Sequence, residues 1–186
     1  MRKTSRARAR SLLSFGLAMA GLFVARASLA DHYRVPSGSM EPTVQVADHV
    51  VVLKAAYGLR VPLTDAYVLG PRTPARGDVV VLTSPESDTV LLKRVVAVGG
   101  DVVEVRDGRV VLTRGGRSVA GEDDARSLQA GPGPSLPPTL VPAGKLLVLG
   151  DNRGNSHDGR SFGWVSERAL LGRAIAVVGA GGARGL

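Results

Sequence analysis

Two serines in a proline-bounded loop, and a lysine 54 residues beyond the second of them, are the side chains of this sequence best suited to covalent chemistry. The loop reads Pro36-Ser37-Gly38-Ser39-Met40-Glu41-Pro42-Thr43, a stiff turn that presents a hydroxyl. A serine hydroxyl needs a base to take its proton before it can attack a carbonyl. A lysine can be that base only when neutral, and its free pKa is about 10.4. Burial lowers such a value by up to about 3–5 units. Lys93 follows Val90-Leu91-Leu92 and precedes Arg94-Val95-Val96. In a strand, Leu91 and Lys93 share one face. Lys93 is then either turned inward and desolvated or exposed on an edge, and the pattern alone leaves both open. Ser39 likewise has a plain reading as a turn residue. It lies in no Gly-x-Ser-x-Gly elbow, and the chain has no Ser-x-x-Lys motif.

His157 is the competing base. Ser156-His157-Asp158 has the residue types of a triad, but adjacent residues cannot form the relay; a Ser39–His157–Asp arrangement stays open. Asp151, Asp158 and Glu167 have the types of an acid/base set, although loop acids near Arg153 and Arg160 also read as structural ion pairs. His32, His49 and His157 are scattered and have no metal-ligand spacing, so no metal is expected. The glycines form neither a Walker nor a Rossmann pattern, and no cofactor is implied.

The elements that must position these residues are mostly short strands. The chain holds 24 Gly and 11 Pro, with 4% aromatics and many valines. That mix favours a mainly β fold with many turns. Strands are expected at Val50–Leu53, Val79–Leu82, Val90–Val98, Val102–Val105, Val110–Leu112 and Leu146–Leu149, with Ile175–Val178 as the last. Asp107-Gly108 marks a hairpin between the fourth and fifth of these. Gly99-Gly100-Asp101 breaks the long strand. Residues 115–138 are polar and then Gly/Pro-rich, and read as a loop-like insertion. Ser166–Leu171 has room for one helical turn.

Hydrophobic residues make up 44% of the 186, enough for one domain with a core plus an anchor. Cysteine is absent, which excludes a disulfide framework, a thiol nucleophile and a cysteine–zinc site. The net charge of +8 suggests nucleic acid until it is located. Residues 1–30 carry six Lys/Arg and no acid; the remainder holds 18 bases against 16 acids. The excess therefore sits in a tail, and no nucleic-acid partner is expected.

Residues 1–10 read as a basic cytoplasmic tail and 11–30 as a membrane segment. The uninterrupted apolar run, Ser11–Ala25, is short for a span of about 20 residues. Arg26 near its outer end can snorkel, which extends the span to Ala30. A cleaved signal peptide fits as well, with Ser28-Leu29-Ala30 as its cleavage site. Both readings put 31–186 outside the cytoplasm. The Ser37/Ser39 loop begins about six residues after Ala30, near the bilayer if the segment is kept, and this favours an anchor.

In their order these boxes resemble the bacterial type I signal peptidases, over nearly the whole chain. Pro36–Thr43 resembles the family's nucleophile box. Tyr57-Gly58 and Arg76-Gly77-Asp78-Val79-Val80 are similar to the next segments, and Lys93-Arg94-Val95-Val96-Ala97-Val98-Gly99-Gly100-Asp101 to the lysine box. Gly150-Asp151-Asn152-Arg153 through Arg160 resembles the last box and Gly172-Arg173-Ala174 the closing segment. The resemblance implies antiparallel sheets in a distorted barrel behind one N-terminal transmembrane helix. It implies a serine endopeptidase that cuts the signal peptides of exported precursors after small residues at −1 and −3. By it, Ser39 is the nucleophile and Lys93 the general base. Ser37 completes the oxyanion hole, Ser156 orients Lys93, and Asp158 and Arg160 form a supporting salt bridge. Val35, Pro36, Met40, Leu91 and Leu92 line the small apolar pockets. The implied partners are signal peptides and membrane lipid. Four positions depart from the family pattern: Leu91 where an aromatic can occur, Ala97 for Gly, Gly154 for Asp, and Gly159 for Ser. The two glycines are expected to loosen the loop that carries Ser156.

Overall fold

The computed structural model describes residues 15, 16, 19, 30–58, 70, 72–119 and 130–186. The expected membrane segment lies almost wholly outside these; among the described residues no helix is long and apolar enough to cross a membrane.

The described chain is built almost entirely from antiparallel strands. They are β1 (Ala30–Arg34), β2 (His49–Leu53), β3 (Val79–Thr83), β4 (Val90–Val98), β5 (Val102–Arg106), β6 (Arg109–Arg114), β7 (Arg117–Val119), β8 (Leu136–Leu140), β9 (Lys145–Leu149), β10 (Val165–Ser166), β11 (Leu170–Gly179) and β12 (Gly182–Gly185). A short helix, α1 (Gly159–Phe162), begins at the end of the box that runs from Gly150 to Arg160. The valine runs are strand formers because a β-branched side chain packs well on a pleated surface.

The larger sheet runs β1-β2-β11-β3-β4-β9-β10, with β12 also paired to β11. The smaller runs β7-β6-β5-β8. Bulges at Ala174/Ala176 and Leu170/Gly172 let β11 serve β2 along one stretch and β3 along another. A third bulge, at Val95/Ala97, lies where β4 meets β9. Bulges sharpen local twist and bend the sheet. As a result β4 pairs with β3 through residues 90–94 but with β9 only through 94–98. Its first half keeps an open edge beside the site.

Three apolar clusters hold the sheets. Val80, Leu82, Val95, Leu146, Val148 and Leu170 form one, against which Leu91 packs. Val103, Val105, Val110 and Leu112 of the small sheet meet Val96, Ala97, Leu147 and Leu149 of the large one. Val35, Met40, Val44, Val50, Val79 and Val177 form the third, beneath the serine loop. At the joint between the sheets, fully buried Asp101 accepts from Arg76, Arg114 and the Val98 amide. The Asp107-Gly108 turn has φ of 51° and 74°, the pair of positive angles a two-residue hairpin of this twist requires.

Two expectations are corrected. The 115–138 segment is not wholly loop: β7 begins at Arg117 and β8 at Leu136, while residues 120–129 lie outside the described set. Sequence reading missed β8 because Leu136-Pro137-Pro138 argues against a strand; edge pairing to β5 alone tolerates the prolines. Nor is Ile175–Val178 the end of the sheet, since β12 returns along β11 after it. β1 also went unread, because Ala30-Asp31-His32-Tyr33-Arg34 is polar; it forms as a half-exposed strand edging β2.

Candidate active site

The serine loop starts where β1 ends. Val35 is buried in the third cluster and Met40 is wholly buried there, so both ends of the Pro36–Ser39 segment are pinned by apolar contacts. Between them Ser37 is extended, and Gly38–Met40 forms a single 3-10 turn. The loop is also held from across the molecule. The Asn152 amide donates to Ser39 O at 3.0 Å, and Asn152 Nδ2 donates to Gly38 O at 3.1 Å.

Lys93 reaches this loop from β4. Its residue is 3% exposed, which settles the inward alternative. Nζ donates to Ser39 Oγ at 2.8 Å. Burial pushes the ammonium down to about 8; Asp158 and Asp151 oppose the shift, and Arg160 assists it. The structure therefore brings together a hydroxyl and an amine that is partly neutral near physiological pH, an arrangement in which the amine can take the hydroxyl's proton.

A groove of about 590 Å³ opens beside the pair. Val35, Pro36, Met40, Leu91 and Leu92 all line it, as expected, along with Ser37, Ser39 and Lys93. Tyr33 was not foreseen among its walls. The only sequence signal for it was the aromatic in an otherwise polar run.

The loop after β9 supplies the rest. Asp158 and Arg160 form the expected ion pair, with Nε to Oδ1 and Nη2 to Oδ2 both at 2.8 Å and neither side chain exposed. Burial alone would raise Asp158; Arg160 and the Gly150 amide outweigh it and hold the carboxyl below its ordinary range. Asp158 also caps α1 through the Arg160 amide. Asp151 pairs not with its neighbour Arg153 but with Arg94, in a buried two-point contact at 2.8 and 2.7 Å, and accepts from Thr43 Oγ1 at 2.5 Å. Sequence reasoning missed Asn152 and this Thr43–Asp151–Arg94 link. Their signal was position inside the quoted boxes, which says nothing about who meets whom.

Two expectations fail here. The expected Ser156–Lys93 hydrogen bond is not formed: Ser156 Oγ is buried beside Asp158, whose carboxyl it helps to hold down, and makes no bond to Lys93. The two family-departing glycines do not loosen its loop, because they are closely packed. A Cβ on Gly159 would lie 2.7 Å from Leu147 Cδ1, and one on Gly154 would lie 1.8 Å from Ala130 O. His157 stands apart from the serine. It is exposed, its Nε2 is 2.8 Å from Glu86 Oε2, and its ring sits edge-on to Phe162.

Comparison with known proteins identifies the family of the chain. The family described as Signal peptidase, peptidase S26, matches residues 8–179. Signal peptidase I of Pseudomonas fluorescens is 33% identical, over 84% of this chain and 67% of its own length. Signal peptidase I of Leptolyngbya laminosa is 32% identical, over 92% of this chain and 82% of its own. A crystal structure of a signal peptidase I from Enterococcus faecalis V583 is 27% identical and aligns at a TM-score of 0.45, over 55% of this chain and 97% of that one; so partial an overlay adds nothing to the sequence match. With the family pattern spanning all but the two ends of the chain, and the paired serine and lysine both inside it, this protein belongs to the signal peptidase family of serine peptidases, peptidase S26.

Proposed function

We propose that the chain is a membrane-anchored endopeptidase that removes N-terminal signal peptides from exported precursors by a Ser39–Lys93 mechanism. The 2.8 Å contact between Lys93 Nζ and Ser39 Oγ carries this reading. Neutral Lys93 takes the Ser39 proton as Oγ attacks the scissile carbonyl. The resulting oxyanion accepts from the Ser37 hydroxyl and the Ser39 N–H, each such donor being worth roughly 10²–10³ in rate. As the intermediate collapses, the C–N bond breaks and the Lys93 ammonium protonates the leaving amine. Water, deprotonated by Lys93, then cleaves the acyl ester and restores Ser39.

The substrate binds extended, as a strand added at the open first half of β4 and the end of β1. Its residues at −1 and −3 point into the groove walled by Val35, Pro36, Met40, Leu91 and Leu92. That groove is lined mainly by apolar side chains, and small apolar residues suit it. The basic tail before the apolar segment supports a cytoplasmic N-terminus with the site outside, at the face where a translocated precursor emerges.

The test is cleavage of a signal-peptide-bearing precursor in detergent by wild type, Ser39→Ala, Lys93→Ala and His157→Ala. Wild type and His157→Ala are expected to cut after a small residue, and the other two to be inactive. Activity in Lys93→Ala with loss in His157→Ala would reassign the base.

A further inference from the structure

A part of the insertion lies against the back of the loop that supports the site. Arg160 Nη1 donates to Pro132 O at 2.9 Å, while Nη2 donates to Arg153 O at 2.6 Å as well as to Asp158. One guanidinium thus joins the insertion, the 150–158 loop and the buried carboxylate. The contact is also close between backbones. At Gly154 an added Cβ would meet Ala130 O at 1.8 Å and Gly131 O at 2.6 Å. On the other side, Gly133 has a φ of +67°, and a Cβ there would meet Arg153 O at 2.4 Å and Arg160 Nη1 at 2.6 Å. Glycine stands on both surfaces where the two segments touch, and no side chain fits at either. The same loop continues to Asn152, which holds Ser39 and Gly38, and to Ser156 beside the buried Asp158 carboxylate. Side chains fix the loop's two ends, Asp151 to Arg94 and Asp158 to Arg160, and the contact with 130–133 supports its middle at Arg153 and Gly154. From Pro134 the chain passes directly into β8, so the small sheet anchors the segment.

We infer that Ala130–Pro134 is a strap that fixes the 150–158 loop in its working position, with Arg160 as the positioning residue that fastens it. The glycine at 154, a departure from the family pattern, is then the partner the strap requires. An aspartate there would displace it.

This inference rests on the peptidase reading, and wild-type turnover of a precursor tests that reading separately. The strap is tested by Gly154→Ala, Gly133→Ala and the double variant, as full chains in detergent. The expected result is a kcat lowered about 10- to 100-fold, the range of an ångström-scale misplacement, with KM within about twofold. Both substitutions lift one strap, so the double variant should be no slower than the worse single. Thermal unfolding checks that each variant is folded. A folded Gly133→Ala with wild-type kcat would overturn the inference, as would a double variant whose loss is the product of the two. Should either glycine variant fail to fold, Arg160→Lys decides by the same split. It keeps the charge beside Asp158 but cannot reach three acceptors at once, and a wild-type kcat in it would overturn the inference too. A wild type without turnover would sink the peptidase reading and the strap's catalytic role with it.

Discussion

Asn152 grips the nucleophile turn at two successive carbonyls, Gly38 O through its side chain and Ser39 O through its backbone amide. Of these, only the side-chain bond can be removed by substitution. Asn152→Ala should lose roughly 1 kcal/mol of positioning energy, the net worth of one such hydrogen bond, or about a fivefold drop in kcat. KM should change little, because Asn152 holds the turn from behind the groove. Steady-state kinetics on a precursor checks this; a change confined to KM would place Asn152 in substrate binding instead.

In the proposed mechanism Lys93 must be neutral to act, and burial holds its pKa at about 8. The limb of kcat/KM on the acid side should therefore rise about tenfold per pH unit up to about pH 8 and then level off. A limb that levels off near pH 6 would point to a histidine in place of the lysine.

The same shift bears on stability. An unfolded lysine titrates near 10.5 and the folded one near 8, so between these values the unfolded chain binds more protons. Stability contributed by this residue is full above 10.5, falls as pH drops through the window and is lost below 8. Relative to Lys93→Met, wild type should gain on the order of 3 kcal/mol between pH 8 and 10.5. Paired denaturant titrations at the two ends of the window measure the difference. A constant gap would mean that the lysine is not desolvated.

What was legible in the sequence divides by the kind of information that each feature needed. The apolar runs announced β3, β4 and β9, because burial on both faces leaves a continuous apolar signature, while β2 and β6 alternate buried and open positions and were legible from their valines. Ser39 and Lys93 were legible as residue types, but their meeting across 54 residues became an expectation only through the ordered boxes. β1 and β8 were hidden because edge strands need little apolar character. Ser156 was expected to bond Lys93, yet sequence carries no rotamer, and its Oγ lies beside Asp158 and makes no bond to Lys93. Gly154 and Gly159 suggested looseness because a missing side chain is ambiguous. Whether it leaves space or admits a neighbour's backbone depends on the packing, and here Ala130 and Val148 fill the space.

His157 has the residue type of a general base but the surroundings of a surface latch. Its ring is 64% exposed and its partner Glu86 is 53% exposed, a pair that should contribute less than about 1 kcal/mol. His157→Ala should thus keep kcat/KM within about twofold, and its pH profile should retain the wild-type limb. A larger loss without that limb moving would mean that the contact to Glu86 helps to place Ser156 next door.

Arg94 and Asp151 test how far the site depends on buried charge. Asp151 is almost fully enclosed, and its carboxylate takes two bonds from Arg94 and one from Thr43. Asp151→Ala strips Arg94 of its buried counter-charge, a change that costs roughly 3–5 kcal/mol of folding stability. Activity should fall with it, because Thr43 follows the nucleophile turn and Asn152 follows Asp151. The double variant Arg94→Leu/Asp151→Leu should recover much of that stability, since a paired apolar replacement leaves no charge stranded. It should not recover kcat, because nothing then ties Thr43 to the loop carrying Asn152. Denaturant unfolding together with kcat separates the two effects. If the double variant is as unstable as Asp151→Ala, the damage comes from lost packing and not from the stranded charge.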